Sequence, residues 1–358
     1  MRFIFKTSYQ QDIRLVKHNG QAFWYGLLLL ALLSAPWWAG DYWLSQISFI
    51  LIYAVAGLGL MVLSGFTGLA SIGHGAFLGV GAYVQTVLTA HGWPFPLAMA
   101  VAAGLSAAVG VVVGLPALRV KGIYLGIATL SFGFIVEEVL ARWESVTKGN
   151  AGIAVGTPQF FGADLSSQEA FYFIALGTCV LVTLGVLNLL RSATGRAFIA
   201  IRDSEISAQS MGIHLAGYKT LAFALSAAIV GLAGALYAHK LRFISPDQFG
   251  IVQSIDLLLL VTVGGIGSVH GAFFGAIFLI AMPQLIALGK DYLPPAIGQA
   301  VGLQAVVYGV VLVLFVLFEP MGLYGRWLKV RTYFQLFPFY RRGMFKRQKS
   351  FQKSDRLK

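Results

Sequence analysis

Apolar residues run along this chain in long blocks broken by short polar or charged punctuation, without the strict alternation that a half-buried strand would show. Residues 42–118 contain no Asp, Glu, Lys or Arg, and further charge-free blocks cover 18–40, 122–136, 170–190, 220–239, 257–289 and 292–318. A helix crosses the hydrocarbon core of a bilayer with about 20 apolar residues at about 1.5 Å each, so the first block allows at least three crossings. A β-barrel is excluded, because its strands alternate lipid-facing and lumen-facing positions over about ten residues. The pattern predicts an all-α polytopic transmembrane bundle of about ten spans. They fall at 22–40, 44–63, 70–90, 97–117, 122–140, 169–190, 218–239, 251–268, 271–288 and 300–318. Ser64–Ala70 and Gly264–Gly271 are Gly-rich and uncharged. Each reads as a tight reversal or as a break within one helix, and the second reading gives eight spans plus re-entrant pieces.

Composition sharpens this picture. Of the 358 residues 58% are hydrophobic and 11% charged, against about 25% charged in ordinary soluble domains. The 42 glycines suit helices whose backbones approach closely in lipid, and Gly110–Gly114, Gly122–Gly126 and Gly271–Gly275 have the G-x-x-x-G spacing. One cysteine, Cys179, leaves no intrachain disulfide and no cysteine-based metal site. The net charge of +12 suggests nucleic-acid binding until it is located: residues 321–358 hold eleven Lys/Arg and a single acid, Asp355. Interleaved with Trp327, Tyr333, Phe334 and further aromatics, that tail suits an anionic leaflet of the lipid bilayer rather than a nucleic acid.

The positive-inside rule places this tail, and the N-terminal arm with Arg2, Lys6, Arg14 and Lys17, in the cytoplasm. With both termini cytoplasmic the span count is even, and 141–168 is an outer loop. The first apolar block follows too long a basic region for a signal peptide and is expected to stay as a helix. The chain therefore divides into a cytoplasmic N-terminal arm (1–21), a transmembrane domain (22–318) with a cytoplasmic loop at 191–219, and a basic cytoplasmic tail (319–358).

His74-Gly75-Ala76-Phe77-Leu78-Gly79 recurs as His270-Gly271-Ala272-Phe273-Phe274-Gly275, each copy following a Gly-rich break. Gly-interrupted spans in matching halves of a transporter point to its solute path. His74, Gly75, His270, Gly271 and Asp256 are the candidates for that path, with packed, hydrogen-bonded or interfacial roles as the alternative. Glu137 and Glu138 are expected to snorkel to the outer surface, and Glu319 to pair locally with the basic tail.

The loop at 191–219 contains helix-end signals: Asp203 or Ser204 as cap, Glu205 in the first turn and Gly212 as terminator. A helix of two turns is unstable alone in water and needs a surface to dock on. Glu205-x-x-Ala208-x-x-x-Gly212 resembles the coupling loop by which permeases of ABC importers sit in a groove of their ATPases. The longer run Gly195–Ile213 is similar to the branched-chain amino acid permease family, its M-type subunit in particular. Ser64–Tyr83, Lys121–Leu130, Thr147–Ile153 and Gly264–Ser268 match the same family in the same order.

The resemblance implies that Asp203, Glu205, Ile206, Ala208 and Gly212 couple the chain to two ABC ATPase subunits. It further implies a homologous second permease, a periplasmic substrate-binding protein and a bacterial inner-membrane location. The chain is then a transport subunit and not an enzyme, with no cofactor of its own. It lacks a G-x-x-x-x-G-K-[ST] phosphate loop, so ATP is expected on the partner subunits. Branched-chain amino acids are the implied solute, with urea or short amides as the alternative within the family. An ATP-independent secondary transporter is the rival class, and it leaves the 191–219 loop without a purpose.

Overall fold

In a bilayer each backbone N–H and C=O has to find its partner within the segment or in a closed barrel, and the apolar blocks accordingly fold as helices. The computed structural model describes residues 19–117, 120, 122–160, 163–164, 167–290, 303–319 and 321–336. The N-terminal arm up to residue 18, residues 291–302 and the basic tail beyond 336 lie outside the described residues. Helices α1 (Asn19–Trp38) and α2 (Asp41–Leu60) come first in the chain, and α2 runs on through a π-helical turn at Met61–Phe66. The chain then leaves helical geometry until α3 (His74–Ala90). Next come α4 (Phe95–Ala117), α5 (Ile123–Arg142) and α6 (Gln168–Arg191). Two short helices, α7 (Ala193–Asp203) and α8 (Glu205–Ser210), lead into α9 (Leu215–Leu241). After these lie α10 (Ile251–Gly264), α11 (Val269–Lys290), α12 (Leu303–Phe318) and α13 (Gly322–Leu336).

The protein is an all-α polytopic bundle. Among the described residues seven helices are long and apolar enough to cross a membrane: Asp41–Phe66, Phe95–Pro116, Ile123–Arg142, Gln168–Arg191, Leu215–Leu241, Pro246–Gly264 and Val269–Gly289. The other three expected spans are also helical but differ in kind. α3 has 17 residues, because the break after Phe66 delays its start to His74. α12 has 16 described residues, and α1 mixes Asn19, Gln21 and three tryptophans into its apolar run. Ser64–Ala70 and Gly264–Gly271 are both real interruptions, non-helical from Thr67 to Gly73 and from Gly265 to Ser268.

α9 is the central helix, packed on α2, α3 and α4. Small residues make that possible: a Cβ built at Gly81 of α3 would lie 2.0 Å from the carbonyl oxygen of Gly231 on α9. Two of the three G-x-x-x-G pairs are such crossings. Gly110 and Gly114 face Phe223 of α9, while Gly271 and Gly275 face Gly264 and Leu260 of α10. Gly122 faces open space, and at Gly126 only Ile72 approaches. The expected outer loop is tied down by a two-residue antiparallel ladder pairing Ile153 with Ile244 and Ala154 with Phe243. Cys179 is a free, buried thiol within α6.

Candidate functional site

The 191–219 segment folds as two helices rather than the one expected from its end signals. Ser192 caps α7, its Oγ accepting from the Gly195 N–H at 3.3 Å. Arg202 in the last turn suits the negative end of that helix dipole. Ser204 rather than Asp203 caps α8, accepting from the Ser207 N–H at 3.2 Å. Gly212 ends the element at φ +82°, where a side chain would be strained.

Six residues cannot hold a helix alone, and two contacts hold α8. Ala208 turns inward and is 2% exposed. Glu205 accepts from Lys219 Nζ at 2.7 Å, with the lysine side chain 3% exposed and the glutamate 22%. Lys219 lies in the first turns of α9, so the short helix is fastened to the central helix of the bundle. On its outer side Ile206 is 81% exposed and Met211 84%. Those two side chains project from a polar loop, beside Gln209 and Ser210.

One residue before Asp203, Arg202 reaches the other way. Its Nε and Nη2 donate to Asp203 Oδ1 at 3.1 and 3.0 Å, while Nη1 donates to the Gly65 carbonyl at 3.3 Å. Its aliphatic stem lies against Gly68, where an added Cβ would meet Cγ at 2.9 Å. Gly65 in turn abuts Gly267, since a Cβ there would lie 2.9 Å from the Gly267 nitrogen. The loop therefore touches the first chain break directly, and the two breaks touch each other.

The paired histidines sit in unlike surroundings. His74 is fully buried at the start of α3, with Ser71 Oγ 2.8 Å from Nδ1 and Ser226 Oγ 2.8 Å from Nε2. Ser226 donates its hydroxyl hydrogen to the Gly59 carbonyl at 2.7 Å, so its oxygen accepts from the His74 Nε2–H. In this conformation His74 is a satisfied core residue joining three segments. Gly75 donates its N–H to Ser254 Oγ at 2.9 Å, tying α3 to α10. His270 is half-buried, hydrogen-bonded to Tyr25 at 2.6 Å and stacked between the rings of Tyr25 and Tyr324 at 6.2 and 5.6 Å. Gly271 donates to Ser268 Oγ at 2.9 Å, which caps α11. Asp256 is half-buried on α10, and among the described residues it makes no hydrogen bond or ion pair.

Glu138 pairs with Arg142, and Glu319 with Arg326 and, at 3.9 Å, Lys329, as local partners. Lys219 and Arg202 were not among the candidate site residues read from sequence. The available signal was a lysine at the mouth of an apolar helix, fourteen positions after an acid in the loop. No group of three or more metal-ligating side chains occurs among the described residues.

Fold and site together define a multi-pass helical membrane protein with an exposed short helix next to an arginine that reaches its internal chain breaks. Residues 42–316 match the family model described as branched-chain amino acid transport system / permease component. The chain belongs to that family, the permeases of ABC transporters. It is 33% identical over 298 residues to the high-affinity branched-chain amino acid transport system permease protein LivM of Escherichia coli K12, covering 76% of this chain and 68% of the relative. To LivH of the same organism it is 24% identical over 298 residues, 76% of this chain and 91% of that one. The autoinducer 2 import system permease protein LsrC of an Enterobacter strain is 28% identical over 249 residues, 67% and 69% of the two chains. No solved structure matches the chain.

Proposed function

We propose that this chain is one of two homologous permeases in a bacterial inner-membrane importer for branched-chain or related amino acids. A periplasmic binding protein delivers the solute and a pair of ABC ATPase subunits drives its passage. The observation that carries the reading is α8: a short helix pinned from behind by Lys219–Glu205, with Ile206 and Met211 presented to water. An apolar pair on a rigid, polar-rimmed knob is what a protein groove captures. That the E. coli transport system includes both LivM and LivH, each similar to this chain, supports a second permease.

In this reading the bundle has ten spans, both termini and the 191–219 loop are cytoplasmic, and the 153–154/243–244 ladder is periplasmic. ATP-driven closure of the partners moves α8, and Arg202 passes that movement to the Gly65–Gly267 joint. The two breaks, with the neighbouring His74–Gly75 and His270–Gly271, then shift the helices that bound the path between outward and inward arrangements.

The test is purification of the tagged full chain from its host in mild detergent, with mass spectrometry of what comes with it. Two ATPase subunits and a second permease are expected. Recovery of the chain alone across several mild detergents would overturn the importer reading.

A further inference from the structure

Three helices each contribute a same-face pair to one seam near the outer end of the bundle. α2 gives Phe49 and Tyr53, four residues apart; α9 gives Tyr237 and Lys240, three apart; α10 gives Gln253 and Asp256, three apart. They touch in sequence. Lys240 Nζ stands 5.4 Å over the Phe49 ring, Phe49 meets Tyr237 edge-on at 6.5 Å, and Tyr237 meets Tyr53 at 6.0 Å. Gln253 Nε2 donates to the Tyr53 hydroxyl at 3.2 Å. Asp256 follows one turn deeper on α10.

The charges at the two ends of this seam have no counter-charge among the described residues. Among the described residues neither Lys240 nor Asp256 belongs to an ion pair; Lys240 has only the faces of Phe49 and Phe171, the latter at 5.8 Å. One turn separates Lys240 from Tyr237 and another separates Gln253 from Asp256, with the two tyrosine rings between, so the charges are at least roughly 9 Å apart. That distance keeps them from pairing with each other. Gln253 is buried and every other member of the seam keeps part of its surface exposed, so the strip is not wholly sealed in the core. A partly exposed carboxylate inside a membrane span is costly to leave facing lipid.

We propose that this seam is the solute-facing wall of the path, and that it receives a zwitterionic amino acid with its ammonium group toward Asp256 and its carboxylate toward Lys240. The proposal rests on the importer reading above and adds to it where the solute sits and which way it points. The aromatic strip between the charges supplies an apolar bed for an aliphatic side chain, and the tyrosine faces attract an ammonium group on its way inward. Lys240, at the outer rim, holds the carboxylate while the ammonium group leads.

The test uses the intact transporter purified with its partners and reconstituted in vesicles, with a diazirine-bearing leucine analogue as photo-label. Cross-links are expected on the peptides of α2, α9 and α10 that carry the seam. Excess leucine should compete, while 4-methylpentanoate, which lacks the ammonium group, should not. Asp256→Asn should cut labelling at least tenfold, and Asp256→Glu should restore it in part. Lys240→Gln, at the rim and outside the packed centre, is the second variant and should cut labelling about fivefold. Unchanged labelling in the Asn and Gln variants, or cross-links confined to other helices, would overturn the proposal. Uptake of leucine with cross-links elsewhere would sink the seam alone. Cross-links in the seam without uptake of any amino acid would sink the transport reading and leave the site standing.

Discussion

A methyl group added at Gly81 would lie 2.0 Å from the Gly231 carbonyl oxygen and 2.5 Å from the Gly231 Cα. Carbon and carbonyl oxygen come no closer than about 3.3 Å in helix–helix contacts, so Gly81→Ala must part α3 from α9 locally by roughly 1.3 Å. A gap of that order forfeits about half of each dispersion well, on the order of 0.1 kcal/mol per atom pair. A few dozen pairs along the crossing then sum to about 3 kcal/mol, at the upper end of ordinary overpacking. The crossing also holds Gly234 against the Leu78 carbonyl, where a Cβ would again lie 2.0 Å away, so the helices cannot pivot to relieve the strain. Gly104 on α4 is the control. A Cβ there meets nothing within 4 Å, and Gly104→Ala should gain about 0.5–1 kcal/mol from helix propensity alone. The assay is the melting temperature of the purified full chain in detergent, read as loss of the monodisperse peak after heating. Gly81→Ala should melt about 4 °C lower and Gly104→Ala about 1 °C higher than the parent. A Gly81→Ala protein as stable as its Gly104→Ala counterpart would refute the α3–α9 packing described above.

Three further outcomes follow from the loop and its anchors. Glu205→Ala strands the buried Lys219 charge and should lower stability by about 3 kcal/mol, whereas Lys219→Met leaves Glu205 some access to water and should cost less. Melting of both singles and the double variant tests this, and the double should recover most of the Glu205→Ala loss. Ile206→Glu with Met211→Glu should abolish co-purification of the ATPase without moving the melting temperature, because both side chains already face solvent; unchanged co-purification would remove α8 as the docking element. Arg202→Ala should leave ATP hydrolysis by the assembled transporter intact while reducing uptake at least tenfold; parallel loss of both activities would mean that Arg202 serves assembly and not transmission.

Much of this architecture is written in the spacing of charges, since a charge-free block of twenty residues has few other fates than a helix in lipid. Each of the ten expected segments is helical among the described residues, seven of them long and apolar enough to cross a membrane, and the two Gly-rich interruptions are where the chain does leave helical geometry. Boundaries moved where the backbone, and not composition, decides: no hydropathy signal marks the π-helical turn that carries α2 to Phe66 or the delay of α3 to His74. The repeat of the His-Gly-Ala-Phe motif was legible, but its two histidines have different partners because Ser226 and Tyr25 come from distant parts of the chain. In the loop, Ser204 and Gly212 were local signals and could be read. α7 was missed because its buried face, Ala197, Phe198 and Ile201, is interrupted by Arg196 and Arg202. The seam was invisible for a similar reason. Its three pairs are unremarkable on their own helices and acquire meaning only when tertiary packing lays them side by side.

The fastening of α8 to the first turns of α9 has a mechanical consequence. α9 is 27 residues long, which makes it a rod of about 40 Å. Its base carries Lys219, held by Glu205, and its far end carries Tyr237 and Lys240. A rotation of about 5° at the base of such a rod sweeps its tip sideways by about 3.5 Å, more than the width of a hydrogen bond. In the importer reading, a partner gripping the six residues of α8 thus pushes on the base of the same helix that carries the aromatic strip at its far end, and the close crossing at Gly81, Gly231 and Gly234 hands that push on to α3.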